Sequence, residues 1–387
     1  MNIEPALKAL SDALAGEGPA VQLSPSTTAG GDPVITLIPR AELGLADGDD
    51  TDIAAVVATS GSTGQPKRTL LSVDALAASS VGTAVALGAE GQWLLALPVH
   101  YVAGLQVLVR SLFAGTRPWA MDLSGGFTPE AFVEAAEELT DNIRYTSLVP
   151  TQLTRLLTDP SARMLTVLRR FNAILLGGAP ASPVLLEAAR GAGVRVVTTY
   201  GMSETCGGCI YDGVPLDGVH VAIRDGRVWL GGDVLAGGYL GDAELSDASF
   251  FTEDTPDGPV RWYQTGDLGT IDADGKLDVL GRVDDVIISG GLKISAHVVA
   301  RGLHKVMGVR EVFVGGVADD QWGQQVAAAV VGHCSEAELR AAAASLMDAH
   351  MVPKTVVFVS ELPVLSTGKP DRTAILALLA EAAAAGR

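Results

Sequence analysis

The segment ATSGSTGQPKRTLLS, residues 58–72, concentrates groups that could hold an anion. Thr59, Ser60, Ser62 and Thr63 supply hydroxyl donors, and Gly61 and Gly64 let backbone N–H groups approach a charge closely. Lys67 adds a point charge at the end of the run. The segment is not a Walker A loop, which needs Gly-Lys-Ser/Thr. Here Lys67 stands between Pro66 and Arg68, and proline has no N–H to offer a phosphate. Taken alone, the segment could equally be a solvated Ser/Gly loop. A second chemical spacing is the CGGC of Cys206 and Cys209. Zinc would need two further ligands, and only Cys334 and scattered histidines remain; a thioredoxin-like setting is absent.

The bulk properties limit what such groups can serve. At 387 residues the chain exceeds the size at which one core keeps growing, so two domains are expected. It is 48% hydrophobic and 19% charged with 45 glycines, a globular composition with many tight turns. A net charge of -18 argues against nucleic-acid binding, which needs a basic footprint. An anionic ligand must therefore be held by local cations and backbone N–H groups, against the global field. No apolar run approaches the roughly 18 residues that span a bilayer. The start MNIEPALKAL carries no signal pattern, and three cysteines suit a reducing cytoplasm. Monomer and homo-oligomer both stay open.

The elements that must position these groups alternate. One amphipathic helix near residues 5–15 precedes a Gly/Pro/Asp-rich connector. From Ile53 onward, apolar runs (IAAVVA, QWLLALP, FNAILLGG, VRVVTTYG) alternate with helical patterns (GLQVLVRSLFAG, PEAFVEAAEELT, SPVLLEAARGAG). This predicts a largely parallel sheet covered on both faces. After Gly213, VAIRDGRVWLGG and TIDADGKLDVLGR each place Asp-Gly between extended runs, a hairpin signal. Beyond residues 283–285 a smaller α+β unit is expected. It has a glycine turn at Gly290 and Gly291, a helix over 296–306, strands REVFVGGV, QQVAAAVV and KTVVFVS, a helix over 335–347, and a last helix from Thr373. The fold class is thus α/β: a large N-terminal domain of mostly parallel layered sheets and helices with a β-hairpin subdomain, then a small C-terminal α+β domain.

TSGSTGQPK also resembles the phosphate loop of the acyl- and aryl-CoA ligase, luciferase and peptide-synthetase adenylation superfamily. Further motifs of that family follow in order: LLGGAP (175–180), YGMSET (200–205), YQTGDLG (263–269), GRVDDVIISGGLKIS (281–295) and LSTGKPDR (365–372). The resemblance covers most of the chain. It implies that ATP, Mg²⁺, CoA and a small-molecule carboxylic acid are the partners, with residues 1–283 as the adenylation domain. Residues 284–387 would be a mobile domain carrying the catalytic Lys369.

On that resemblance, residues 59–64 with Lys67 clamp the ATP phosphates. Gly177, Gly178, Ala179 and Pro180 lie flat against the purine at a strand's carboxyl edge. Thr199 and Gly201 border Tyr200, which offers its ring to adenine. Ser203 and Thr205 offer hydroxyls near the α-phosphate. Glu204 is the Mg²⁺ ligand, since magnesium suits one carboxylate plus phosphate oxygens and water. Asp267 accepts the ribose hydroxyls, with Arg282 as a second contact. Lys369 stabilises charge as the acid's carboxylate attacks the α-phosphate. Asp284 matches the hinge about which the small domain turns, and Gly290 and Gly291 would line the CoA thiol channel. Arg68 departs from the family pattern, where glycine usually follows the lysine.

For the acid, the phosphate loop begins near residue 59, so on this resemblance the family's usual leading subdomain would be largely missing. YTSLVPTQLTRLL (145–157) resembles the matching segment of o-succinylbenzoate–CoA ligases of menaquinone biosynthesis, in the compact actinobacterial form. That keto-dicarboxylate needs a cation or several donors for its spare carboxylate. Arg110 and Arg155 are the candidate cations, with Gln152, His100 and Tyr101 as polar partners and Cys206 and Gly207 as small residues lining the pocket. The alternatives are a ligase for another aryl or short acyl acid, a stand-alone adenylation enzyme loading a carrier protein, and a nucleotide-binding module without catalysis.

Overall fold

A computed structural model describes residues 2–26, 31–45, 51–60, 66–256, 258–365 and 370–385. Gly61, Ser62, Thr63 and Gly64 of the anion cradle, and Lys369, lie outside the described residues, as does the burial of Ser60.

Four sheets organise the chain. The central one has the strand order Val214–Pro215, Gly207–Tyr211, Val196–Met202, Ala173–Leu176, Arg144–Leu148, Gln92–Leu95, Trp119–Ala120. The last five strands are mutually parallel, and the first two join antiparallel at the edge. Successive residues of one strand feed opposite cores. Ala173 and Leu175 pack with the helices Val73–Leu87 and Val102–Phe113, while Ile174 and Leu176 pack with Pro129–Glu137, Ala162–Arg169 and Pro183–Gly191. That period of two, apolar on both faces, is the signature of a sheet covered twice. Ser72, Thr128, Ser161 and Ser182 cap four of these helices, each accepting from the backbone N–H three residues on.

The expected parallel sheet does not begin at Ile53. Strand Ile53–Ser60 belongs to a separate sheet, where it pairs antiparallel with Pro66–Ser72 and parallel with Ala20–Ser24. Residues 58–72, read as a loop, are therefore mostly a hairpin, with Thr59 opposite Lys67 and Ser60 opposite Pro66. The connector after the first helix is also structured: Ala20–Ser24 pairs with Val34–Ile38. Three of five side chains in Val34–Ile38 are exposed, so this strand lacks the apolar alternation that betrays strands in sequence.

The third sheet contains both Asp-Gly hairpins. Val219–Arg224 turns into Arg227–Gly232 through Asp225 (φ 50°) and Gly226 (φ 76°), the pair of left-handed residues a tight two-residue hairpin needs. Gly258–Ile271 turns into Leu277–Arg282. The fourth sheet lies wholly beyond Arg282, in the order Leu292–Ser295, Val286–Ser289, Gly323–Gly332, Val309–Asp319, with Thr355–Phe358 parallel to Gly323–Gly332. It too feeds two cores: Val326, Ala328 and Val330 face helices Ala296–Leu303 and Glu336–Leu346, and Ala327, Ala329 and Val331 face Arg372–Ala385. Among the described residues, no helix is long and apolar enough to cross a membrane.

Candidate active site

The parallel strands of the central sheet end at one edge, and the segments after them lie along it. Residues 96–101, with His100 and Tyr101, come after Gln92–Leu95, and Gln152 lies in the helix after Arg144–Leu148. Gly177, Gly178, Ala179 and Pro180 come after Ala173–Leu176, and the one-turn helix Ser203–Thr205 after Val196–Met202. Ligands of open α/β sheets bind beyond such carboxyl edges. Gly177 admits no side chain: a Cβ there would stand 2.4 Å from Thr199 Oγ1, and Gly178 has φ +81°. Gly201 is equally constrained, because a Cβ would stand 2.0 Å from Gly207 O across the antiparallel pair.

Two side-chain clusters flank the end of strand Val196–Met202. In the first, Glu204 is 8% exposed and its Oε1 accepts from the Tyr239 hydroxyl at 2.8 Å. Lys67 places its Nζ 5.2 Å from the centroid of the same Tyr239 ring. Burial, and then the Glu204 charge, push the Tyr239 hydroxyl well above the ordinary tyrosine range, so it stays a donor. Tyr263 is raised by the same two causes in the same order, and its ring stacks 5.0 Å from Phe250. Among the described residues Glu204 has no ion-pair partner, and Oε2 accepts no hydrogen bond. A buried carboxylate left so short of positive charge fits a hard divalent cation that takes its other ligands from phosphate and water.

In the second cluster Asp267, also 8% exposed, accepts from the Tyr200 hydroxyl at 2.6 Å through Oδ2. Its Oδ1 lies 3.6 Å from Arg282 Nη1. The two residues are direct partners in the hairpin of Gly258–Ile271 with Leu277–Arg282, so strand register sets the pair. Tyr200 is held protonated by burial first and the Asp267 charge second. The structure thus gives Tyr200 a bond to the proposed ribose carboxylate in addition to a ring. Arg282 also reaches Asp284 Oδ2 at 3.9 Å, in the one-turn helix Val283–Asp285.

Other expected site residues find different work. Thr205 is fully buried; its hydroxyl donates to Gly207 O at 2.7 Å and accepts from Met202 N at 3.0 Å, closing the turn that carries Glu204. Ser203 is buried beside it. Cys206 and Cys209 are both at 0% exposure in the core, and burial raises both thiols, Cys209 to about 12. Cys206 therefore packs inward and lines no pocket, while Gly207 (φ +100°) faces Gln106 and Val102.

Of the two candidate arginines, Arg110 does not reach the carboxyl edge. Arg110 is in the last turn of Val102–Phe113, whose first residues are the ones at that edge, so it lies at the far end of the helix. There it stacks 5.2 Å from the Trp93 ring and donates to the Tyr211 hydroxyl at 3.4 Å. Arg155 is exposed and donates to Phe127 O. Gln152 uses its amide structurally: Nε2 donates to Ala96 O at 3.0 Å and Oε1 accepts from Val149 N at 3.0 Å. His100 remains, half-buried, its ring 4.2 Å from Tyr101, with burial lowering its pKa so that the imidazole is neutral. At the glycine turn, Gly290 (φ +57°) packs on Trp322, leaving 2.5 Å for a Cβ, while Gly291 (φ +81°) opens on empty space.

Tyr239, the partner of Glu204, was not among the expected site residues. It forms a two-residue strand with Gly238, where periodicity has nothing to act on.

The model of the AMP-binding enzyme family matches residues 10–240, and that of the AMP-binding enzyme C-terminal domain matches residues 301–369. The chain is 40% identical over 361 residues to the probable 2-succinylbenzoate–CoA ligase of Mycobacterium tuberculosis (strain H37Rv), covering 90% of this chain and 91% of that one. Among solved structures it is similar to o-succinylbenzoate CoA synthetase from Bacillus subtilis in complex with the acyl-adenylate intermediate, with a TM-score of 0.69 and 29% identity over 84% of this chain and 69% of the other. It is also similar to ATP-bound MatB from Rhodopseudomonas palustris, with a TM-score of 0.72 and 28% identity over 87% and 70%. A carboxyl edge flanked by a carboxylate–tyrosine–lysine cluster and an aspartate–tyrosine–arginine cluster thus sits in a chain that belongs to the AMP-binding enzyme family.

Proposed function

We propose that this chain joins 2-succinylbenzoate to CoA in two half-reactions. A carboxylate oxygen of the acid attacks the α-phosphorus of ATP, and pyrophosphate leaves with the P–O electron pair. The CoA sulfur then attacks the acyl carbon, AMP leaves, and the thiol proton passes to solvent. The identity to the mycobacterial ligase across nine-tenths of both chains carries the choice of acid. The two clusters support the chemistry.

Asp267 accepts the ribose hydroxyls, held in place by Tyr200 and Arg282. Thr59 and Lys67, opposite each other in the hairpin, present a hydroxyl and a cation to the phosphates, joined by the cradle of Ser60, Gly61, Ser62, Thr63 and Gly64. Glu204 holds Mg²⁺, which when bound neutralises phosphate charge. Gly177, Gly178, Ala179, Pro180, Thr199 and Gly201 give the purine a flat wall. His100, as a neutral imidazole, and Tyr101 meet the acid as hydrogen-bonding groups. Lys369 is delivered by residues 284–387, turning about Asp284, and supplies the ammonium for the first half-reaction. Gly290 and Gly291 border the route of the CoA thiol in the second.

The test is pyrophosphate release from ATP, with and without CoA, across a panel of aryl and short acyl acids. The expected result is release with 2-succinylbenzoate and CoA-dependent thioester formation. A thioester from another acid, with none from 2-succinylbenzoate, overturns the assignment; release and transfer to a carrier protein in place of CoA would favour a loading enzyme.

A further inference from the structure

Cys206 comes directly after the turn that carries Glu204, and its φ of 52° lies in the left-handed region that a residue with a Cβ occupies at a cost. Its carbonyl is gripped from outside the turn. Gln106 Nε2 and Ser79 Oγ (3.3 Å) both donate to Cys206 O, and Gln106 Nε2 lies 3.2 Å from Ser79 Oγ. Gln106 is 1% exposed and lies about one turn into helix Val102–Phe113, the helix that follows His100 and Tyr101. A carbonyl only accepts, so the amide nitrogen must face it, and this leaves Gln106 Oε1 buried with no partner. The site therefore bears two costs side by side, a strained φ and an orphaned oxygen. Such costs persist where a particular conformation is required.

We propose that Gln106 is a positioning residue: by clamping the Cys206 carbonyl it holds the Ser203–Thr205 turn, and with it the Glu204 carboxylate, against Tyr239. Thr205 ties the same turn from within, through Gly207 O and Met202 N. The Gln106–Ser79 clamp is its outer anchor, and it couples helix Val102–Phe113, which follows His100 and Tyr101, to the carboxylate of the nucleotide side. The inference rests on Glu204 serving the nucleotide as proposed above.

The experiment compares Gln106→Met, Ser79→Ala and the double variant Gln106→Met with Cys206→Gly. Readouts are kcat, KM for MgATP and for the acid, MgATP affinity, melting temperature, and hydrogen exchange of the peptide over residues 202–208. Losing the clamp lets a strained turn relax, so Gln106→Met should lower kcat about tenfold and speed exchange in that peptide, with the acid KM unchanged. Glycine occupies φ 52° freely. Cys206→Gly should therefore restore kcat and slow the exchange again, without restoring any melting temperature lost. Ser79→Ala removes one of the two donors and should show a smaller loss in the same direction; it carries the test if Gln106→Met does not fold. Unchanged kcat and exchange in either folded variant, or a loss that Cys206→Gly does not repair, overturns the proposal. Should the wild type bind MgATP yet fail to activate 2-succinylbenzoate, the acid assignment falls, while MgATP affinity and exchange still judge the clamp.

Discussion

Removing one oxygen atom, in Tyr239→Phe, isolates the bond on which the Glu204 cluster depends. The hydroxyl donates at 2.8 Å to a carboxylate that is 8% exposed, and among the described residues it is the only hydrogen bond that carboxylate receives. The ring stays: it still lies under Lys67 at 5.2 Å and against Phe250 at 5.8 Å, so packing and the cation–π contact are retained. A hydrogen bond to a charged group contributes about 1.5–3 kcal/mol. If that energy orients Glu204 for the transition state, kcat/KM for MgATP falls about 10- to 150-fold. The apparent Mg²⁺ requirement should rise with it, and the KM for the acid should stay where it is. Tyr239→Leu also removes the surface beneath Lys67, worth about 0.5–2 kcal/mol more. Pyrophosphate release at saturating acid, with MgATP varied, measures both variants. A Tyr239→Phe enzyme within about twofold of wild type in kcat/KM for MgATP, or one altered only in acid KM, refutes the reasoning.

Two further outcomes test placement and timing. Arg110→Met keeps the aliphatic stem and removes a buried guanidinium whose Nε has no partner, so stability should change by no more than about 1–2 kcal/mol in either direction. The acid KM should stay within about twofold, because Arg110 lies away from the carboxyl edge; a rise above about tenfold would return it to the pocket. Lys369→Ala should abolish adenylate formation while sparing thioester formation from supplied acyl-adenylate, and equal loss in both halves would remove the two-position model.

Much of the fold was legible because the signals were of the kind sequence carries well. The parallel strands are short apolar runs between helices, four of them capped by serine or threonine, and both Asp-Gly turns fall where the backbone needs them. What failed was long-range. Ile53–Ser60 reads like any strand of the central sheet, and only its pairing with Pro66–Ser72 places it elsewhere. Motif residues such as Glu204 and Asp267 could be picked out in sequence because the family pattern marks them. The pairings could not: Tyr239, outside every motif, is 35 residues from Glu204, and Tyr200, itself a motif residue, is 67 residues from Asp267. Arg110 misled for a related reason. A helix carries its residues about 1.5 Å apart along the axis, so Arg110, eight positions into Val102–Phe113, sits roughly 12 Å below the edge its helix starts from.

The ties between the fourth sheet's unit and the rest are of a kind that can be exchanged. Helix Ala296–Leu303 rests on strand Leu277–Arg282 through Ser295 Oγ, which donates to Leu280 O, and through Arg301 Nη1, which lies 2.6 and 2.8 Å from the two oxygens of Asp278. Within the Val283–Asp285 turn itself, Asp285 pairs with Arg372. The Arg301 and Asp278 side chains are 42% and 50% exposed, and exposed pairs of this sort contribute about 0–1 kcal/mol. Such a bond does little for folding, yet it is enough to bias the proposed equilibrium between two placements of the small unit by up to about fivefold. Arg301→Ala should therefore leave the melting temperature nearly unchanged and alter the ratio of the two half-reaction rates. The half-reaction served by this arrangement should slow and the other should hold or quicken, an effect that about 0.5 M salt ought to mimic in the wild type by screening the pair. Adenylation and thioesterification, each timed in a single turnover, give that ratio; if it is the same in Arg301→Ala and wild type at low salt, the pair takes no part in choosing between placements.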